Sequence, residues 1–177
     1  MGATNNKVMD KIEVYHAGTE RVDAPDRNRG RVNLDFGQGF YLTDIYDQAY
    51  KFALSKSRDR KLPAIINTYI LDRKSIISES KAKIFEKYDE EWLEFIVACR
   101  GGKDIWKNYD YVEGGVANDR VIDTVNMYIQ GFIPKDRALK NLRYLKPNNQ
   151  ICILNQEMLV KHLRFVDCIT IPTDGLL

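Results

Sequence analysis

The segment over 35–44, with the sequence DFGQGFYLTD, constrains the fold of this chain more than any other stretch. Two glycines flank a single glutamine, and two aromatic residues then enter a short apolar run. Glycine is needed where the backbone turns tightly or approaches another group with no side chain between them. A tyrosine placed directly after such a turn can present a flat ring to a planar ligand. The segment therefore predicts a tight turn that leads into a short strand, with Tyr41 available for stacking.

A second informative segment lies upstream, where the alternating run 12–16 predicts a strand that ends on His16. An imidazole, a glycine-rich approach and an aromatic ring together suit a nucleotide, which is partly flat and partly sugar. Arginines at positions 27, 29 and 31 lie between the two segments. Guanidinium groups pair well with phosphate oxygens, so a pyrophosphate is a reasonable partner for this cluster.

Composition predicts an ordinary globular domain with a substantial core. The chain has 177 residues, of which 44% are hydrophobic, and we expect a loose segment over 1–11 followed by a single domain over 12–177. No apolar run approaches the roughly 18 residues of a membrane span, and no signal core is present at the N-terminus. The three cysteines lack metal-ligand spacing, so we expect reduced thiols, no metal site and a cytoplasmic location.

The order of the predicted elements indicates an α+β fold, because short strands and helices alternate irregularly. We expect Asp44 and Asn118 to cap helices, and Ile45, Ala49, Phe52 and Ala53 to form the buried face of the first helix. The predicted elements are strands over 12–16, 64–71, 150–154 and 163–171, and helices over 45–58, 91–100, 119–130, 134–144 and 156–162.

Two motifs carry a resemblance to a known superfamily. Tyr-His-Ala-Gly-Thr at 15–19 resembles the first motif of the histidine–tyrosine class of ADP-ribosyltransferases. Phe-Gly-Gln-Gly-Phe-Tyr at 36–41 is similar to the Phe-Gly-Lys-Gly-Ile-Tyr segment of poly(ADP-ribose) polymerases. With the segments at 116–120 and 146–152, the chain over 12–168 looks like a bacterial family of uncharacterised proteins in that superfamily.

The resemblance implies a fold and an activity. The fold is an α+β, ADP-ribosyltransferase-like split β-sandwich, in which two small, mostly antiparallel sheets enclose an NAD cleft and helices lie at the periphery. The activity is NAD-dependent mono-ADP-ribosyl transfer to an unidentified protein or nucleic acid acceptor. By analogy, the protein is the toxin of a toxin–antitoxin pair, with NAD as co-substrate and an antitoxin protein as a partner.

The resemblance also implies roles for individual residues. His16 would bond a ribose hydroxyl and fix the adenosine half of the donor. The backbone at Ala17 would pair with the nicotinamide carboxamide, Tyr41 would stack on the nicotinamide ring, and Gly18 would also contact NAD. Phe52 would supply the opposing wall. The implied NAD-binding set is completed by three further residues: Arg31, Gly39 and Phe40.

The third catalytic position departs from the best-studied relatives, which carry glutamate where this chain has Gln150. An amide can orient a ribose hydroxyl, but it has no charge and cannot act as a base. We therefore expect single transfer or NAD hydrolysis rather than polymer elongation. Glu157 is the substitute if the strand register differs, and Glu113 and Asp119 are less favoured. A non-catalytic NAD or ADP-ribose binding module and an interaction domain with a vestigial pocket remain open.

Residue by residue, ordinary structural roles also remain open. His16 alone would be a structural histidine, and Tyr41 and Phe52 alone would be core residues. The basic run at 56–61 is interpreted as a solvated face. His162 is expected at the surface, and Cys152 is expected to pack as a small apolar side chain.

Overall fold

Two β-sheets and the helices around them form the α+β fold of this protein. In the computed structural model, which describes residues 10–115, 119–143, 145 and 148–172, the first sheet is antiparallel and has the order β1-β3-β7. The second sheet has the order β2-β6-β5-β4 and contains one parallel pair, β4 with β5. The strands are β1 Ile12–Gly18, β2 Phe40–Leu42, β3 Ala64–Leu71, β4 Ala82–Ile84, β5 Tyr111–Gly114, β6 Gln150–Ile153 and β7 Leu163–Ile171.

Helices cover the outer faces of both sheets. They are α1 Tyr46–Arg60, α2 Arg73–Glu79, α3 Glu90–Arg100, α4 Asp119–Ile129, α5 Lys135–Leu142 and α6 Gln156–His162, with short 3-10 helices at Arg27–Arg29 and Asp104–Asn108. The space between the sheets is filled by residues such as Val14, Tyr69, Phe40, Ile151 and Ile153. A separate aromatic cluster joins the second sheet to α3, α4 and α5.

A short junction connects the two sheets. The N–H of Tyr15 in β1 donates to the carbonyl of Thr43, just after β2, at 2.8 Å, and the N–H of Thr43 donates back at 3.0 Å. Beyond this bridge β1 makes no further pairing with the second sheet among the described residues. The sheets therefore part after Tyr15, and the last residues of β1 present an open edge.

The glycines of the 35–44 segment meet the protein's own core. Gly37 has φ +87°, and a Cβ built there would lie 2.1 Å from Cγ of Trp106. A Cβ on Gly39 would lie 2.6 Å from Sγ of Cys152. The predicted tight turn is confirmed. The groups that its glycines approach closely are the indole of Trp106 and the strand β6.

Most predicted elements are confirmed, and the sharpest agreement lies in the second half of the chain. The strand over 64–71, the helix over 156–162 and the strand over 163–171 have the predicted bounds. The sequence reading missed α2, β4 and β5. In β5 the sequence Tyr-Val-Glu-Gly shows no apolar alternation, although all four of its residues are buried.

Two predictions about α1 are wrong. The residue before the helix is Ile45 rather than Asp44, and the hydroxyl of Thr43 accepts from the Ile45 N–H at 3.1 Å. Ile45 and Phe52 are exposed, because the stripe packed on the first sheet consists of the small residues Ala49, Ala53 and Ser57. The predicted Asn118 cap and nearly all of the predicted 1–11 segment lie outside the described residues.

We predict that Gly37→Ala destabilises the protein much more than Gly131→Ala. Both glycines have positive φ, so each alanine costs about 1–2 kcal/mol in backbone energy. Only at position 37 does the new methyl overlap a packed ring, which adds about 1–3 kcal/mol. Urea unfolding of the two variants measures the difference, and equal losses would contradict the packing of Gly37 on Trp106.

Candidate functional site

At the open edge of β1, the backbone of Ala17 has no strand partner among the described residues, although the residue is only 7% exposed. Backbone groups of alternate strand residues point to the same edge, and those of Tyr15 point away from β3 toward Thr43. The N–H and C=O of Ala17, two residues later, therefore also point away from β3, beyond the junction. The Ala17 carbonyl accepts from Nζ of Lys56 at 3.0 Å. This edge offers one backbone donor and one backbone acceptor side by side.

His16 is held in one tautomer. Its Nδ1 lies 2.8 Å from the carbonyl oxygen of Tyr41, and a carbonyl can only accept, so Nδ1 carries the proton. The ring stacks on Phe40 with centroids 4.5 Å apart. Burial lowers the pKa of His16 to about 4. The bond to the Tyr41 carbonyl acts in the opposite direction and raises this pKa, and the nearby ammonium of Lys56 lowers it further. At neutral pH, Nε2 is therefore a lone-pair acceptor, and no hydrogen bond to it occurs within the described part of the chain.

Tyr41 lies half-buried on the face of β2 opposite Phe40. Its hydroxyl donates to the Gly37 carbonyl at 2.6 Å and accepts from the Phe36 N–H at 3.1 Å. Burial raises the pKa of this phenol well above its usual range. The hydroxyl thus closes the glycine turn, which fixes the ring. Its predicted stacking on nicotinamide stays a prediction.

Lys56 is not on a solvated face, so the sequence interpretation of its position was wrong. The side chain is half-buried, its ammonium caps the Ala17 carbonyl, and the ring of Phe52 lies 4.7 Å away. Burial, followed by the charges of Arg60 and Arg31, lowers the pKa of Lys56 to about 8. The lysine connects the helix to the open edge and brings Phe52 near Ala17.

Gln150 opens β6, as the sequence predicted, and lies next to the junction. The adjacent carbonyl of Asn149 accepts from the hydroxyl of Thr43 at 2.8 Å and from Nε2 of Gln48 at 3.3 Å. By strand alternation, Gln150 shares its face with Cys152, which pairs in register with Tyr41. Its side chain is half-buried and makes no hydrogen bond among the described residues. Cys152 is fully buried, as expected.

Glu113, a less favoured candidate in the sequence, forms a buried network beside Gln150. The carboxylate is 6% exposed and accepts from Nε of Arg73 at 2.9 Å and from the hydroxyl of Tyr111 at 2.5 Å. It also accepts from Nδ2 of Asn149 at 3.1 Å. This carboxylate is fully partnered, and it positions the backbone that leads into Gln150. The sequence did not indicate this arrangement, because the strand β5 that contains Glu113 was not predicted.

Glu157 lies at the far end of β6, away from Gln150. It is exposed at the start of α6, where it lines an open concavity of about 530 Å³ together with Arg27 and Trp106. Because β6 begins at Gln150, the register shift that would have made Glu157 the substitute does not occur. The side chain of Asp119 lies outside the described residues.

The remaining predicted NAD-binding residues lie on both sides of the junction. Gly18 is buried, and a Cβ there would lie 3.6 Å from Nε2 of His16. Phe40 is 6% exposed, so its ring serves the core and supports the imidazole. Gly39 packs on β6, and Arg31 is exposed. The structure thus groups His16, Ala17, Gly18 and Phe40, with Lys56 and Phe52 alongside. Tyr41 contributes its carbonyl to this group, and its ring lies on the other face of β2.

The second histidine is also buried, which overturns its predicted surface position. His162 is 7% exposed, and its Nε2 lies 3.3 Å from a carboxylate oxygen of Glu79. The ring is enclosed because α6 packs against α2. It belongs to neither the junction nor the β1 edge.

The two sheets and six helices of the described residues form a mixed α+β fold. The chain belongs to the DUF3990 family of proteins of unknown function, whose profile matches residues 12–165. No curated protein matches the chain. Among the described helices, none is long and apolar enough to cross a membrane. The described residues contain no cluster of three or more side chains suited to hold a metal ion.

We predict that His16 makes stability depend on pH. Its folded pKa of about 4 lies below the unfolded value of about 6.5, so protonation favours the unfolded chain. The contribution of His16 is complete above pH 6.5 and is lost as the pH falls toward 4, by about 3 kcal/mol. Denaturant unfolding from pH 7.5 to 4.5 should show a shallower pH dependence for His16→Gln than for the wild type. Equal slopes would contradict the buried neutral imidazole.

Proposed function

We propose that this protein is an NAD-dependent mono-ADP-ribosyltransferase with a split β-sandwich fold of the ADP-ribosyltransferase type. The donor would lie along the open edge of β1, where the two sheets part. The acceptor is a macromolecule, protein or nucleic acid. NAD acts as co-substrate.

One observation carries the proposal: a neutral His16, whose Nε2 accepts no hydrogen bond from the described residues, lies next to the backbone edge of Ala17 that has no strand partner among them. A carboxamide presents an NH2 group that can donate to the Ala17 carbonyl and a carbonyl oxygen that can accept from the Ala17 N–H. A ribose hydroxyl can donate to Nε2, because the bond from Nδ1 to Tyr41 fixes the tautomer. His16 would then fix the adenosine half of NAD, and Ala17 would hold the nicotinamide half.

The residues present support cleavage without a charged catalytic group. Breaking the nicotinamide–ribose bond develops positive charge on the sugar, as in glycoside hydrolysis. Gln150 would orient a ribose hydroxyl, and its backbone is held by Thr43 and Asn149. Rings at Tyr41 and Phe52 would order the nicotinamide, each contact contributing about 1 kcal/mol. An amide cannot activate the hydroxyl of a growing polymer, so a single transfer is expected.

A non-catalytic NAD-binding module is the second candidate. Two observations favour it: the missing carboxylate at Gln150, and the hydrogen bond from the ammonium of Lys56 to the Ala17 carbonyl. Such a module would bind NAD without releasing nicotinamide.

We predict that the purified protein releases nicotinamide from NAD when a cell lysate supplies the acceptor. Gln150→Ala should lower release at least about 100-fold while NAD affinity stays within about tenfold, or 1.4 kcal/mol. His16→Ala should impair both release and binding. The matched control is Glu157→Gln, at the opposite end of β6, which should leave both unchanged. Labelled NAD then identifies the acceptor.

The binding arm separates the two candidates. NAD at 100-fold its dissociation constant should stabilise the fold by about 2.7 kcal/mol. Stabilisation without release would favour the binding module. If NAD neither stabilises the fold nor loses nicotinamide, both candidates are overturned. If Gln150→Ala leaves nicotinamide release unchanged, Gln150 does not belong to the site.

A further inference from the structure

Lys56 is a half-buried cation whose counter-charge is not supplied by the described residues. Its ammonium contacts the Ala17 carbonyl and the face of Phe52, and no carboxylate of the described residues lies within ion-pairing distance. Removing a charge from water is costly unless an opposite charge compensates it. The depressed pKa of Lys56 reflects this cost.

Two further cations approach Lys56 from different parts of the chain. Arg60 lies one turn later on α1, so the two side chains share one side of the helix. Arg31 lies in the loop before β2, and its charge also acts on Lys56. Both arginines are exposed and form no salt bridge among the described residues.

The other two arginines of the 27–31 cluster already form hydrogen bonds within the protein. Arg27 donates to the Leu154 carbonyl at 3.0 Å, and Arg29 pairs with Glu20 at 2.7 Å. Of the three, Arg31 is the one left for a ligand. Lys56 and the two exposed arginines whose charges act on it therefore lie beside the end of β1.

We propose that Lys56, Arg60 and Arg31 form a binding site for the phosphate groups of an anionic ligand. Ammonium and guanidinium donors form their strongest hydrogen bonds with such oxygens. Assignment of the anion as the pyrophosphate of NAD rests on the proposed function. Binding of a phosphate group as such depends only on the charges described.

The site also links the two halves of a dinucleotide. When Lys56 turns to a phosphate, it leaves the Ala17 carbonyl free to accept from a carboxamide. Occupation of the phosphate site thus favours occupation of the β1 edge, and the coupling is reciprocal. In the structure the same lysine occupies the Ala17 carbonyl.

The test measures the binding of inorganic pyrophosphate to the full chain by calorimetry. The wild type should bind pyrophosphate with a dissociation constant below about 1 mM, and this constant should increase as the salt concentration rises. Lys56→Met and Arg60→Gln should each weaken binding at least about tenfold, since a charge-assisted hydrogen bond is lost. The matched control is Arg58→Gln, exposed on the opposite side of α1, which should change affinity less than about twofold.

The outcomes separate this site from the proposed function. Pyrophosphate binding that is lost in Lys56→Met and kept in Arg58→Gln supports the site, even if no nicotinamide is released from NAD. No binding by the wild type, or equal affinity in all four proteins, overturns it. If Lys56→Met fails to fold, the exposed Arg60→Gln decides, because its side chain is outside the core. Nicotinamide alone should bind Lys56→Met at least as tightly as the wild type, and weaker binding would overturn the coupling.

Discussion

The junction between the two sheets is the constraint on which the rest of the structure depends. The paired backbone bonds of Tyr15 and Thr43 set the register of β2 against β1, and the bond from His16 to the Tyr41 carbonyl depends on that register. A shift of one residue would exchange the faces of Phe40 and Tyr41. The imidazole would then lose both its stacking partner and its proton acceptor.

Around this junction, the buried negative charge has partners of opposite charge, whereas the half-buried positive charge has none among the described residues. The buried carboxylate of Glu113 is compensated by Arg73 and two further donors, so it serves as scaffold for the start of β6. His16 avoids the cost of burial by remaining neutral. Lys56 stays charged at neutral pH and lacks a carboxylate partner among the described residues. This imbalance makes the region suited to an anionic ligand with polar groups of its own.

Sequence reasoning succeeded where a residue's environment follows from its neighbours in the chain. The strand over 64–71 and the strand over 163–171 carry strong apolar patterns, and Gly37 had to accommodate a turn. It failed at β5, whose glutamate is buried only because distant residues partner it. It also failed at Lys56, whose partner Ala17 is 39 residues away in the sequence.

The sequence alone determined the α+β class, the strand that contains His16, the turn at Gly37 and the absence of a carboxylate at Gln150, although β1 extends two residues beyond the predicted end, to Gly18. Those features depend on local periodicity, backbone freedom and side-chain identity. The tertiary structure decided which groups meet: the tautomer of His16, the cover over the Ala17 carbonyl and the support of Gln150 by Glu113. These contacts join segments far apart in the chain, and they arise only when the register of β2 and β6 brings those segments together.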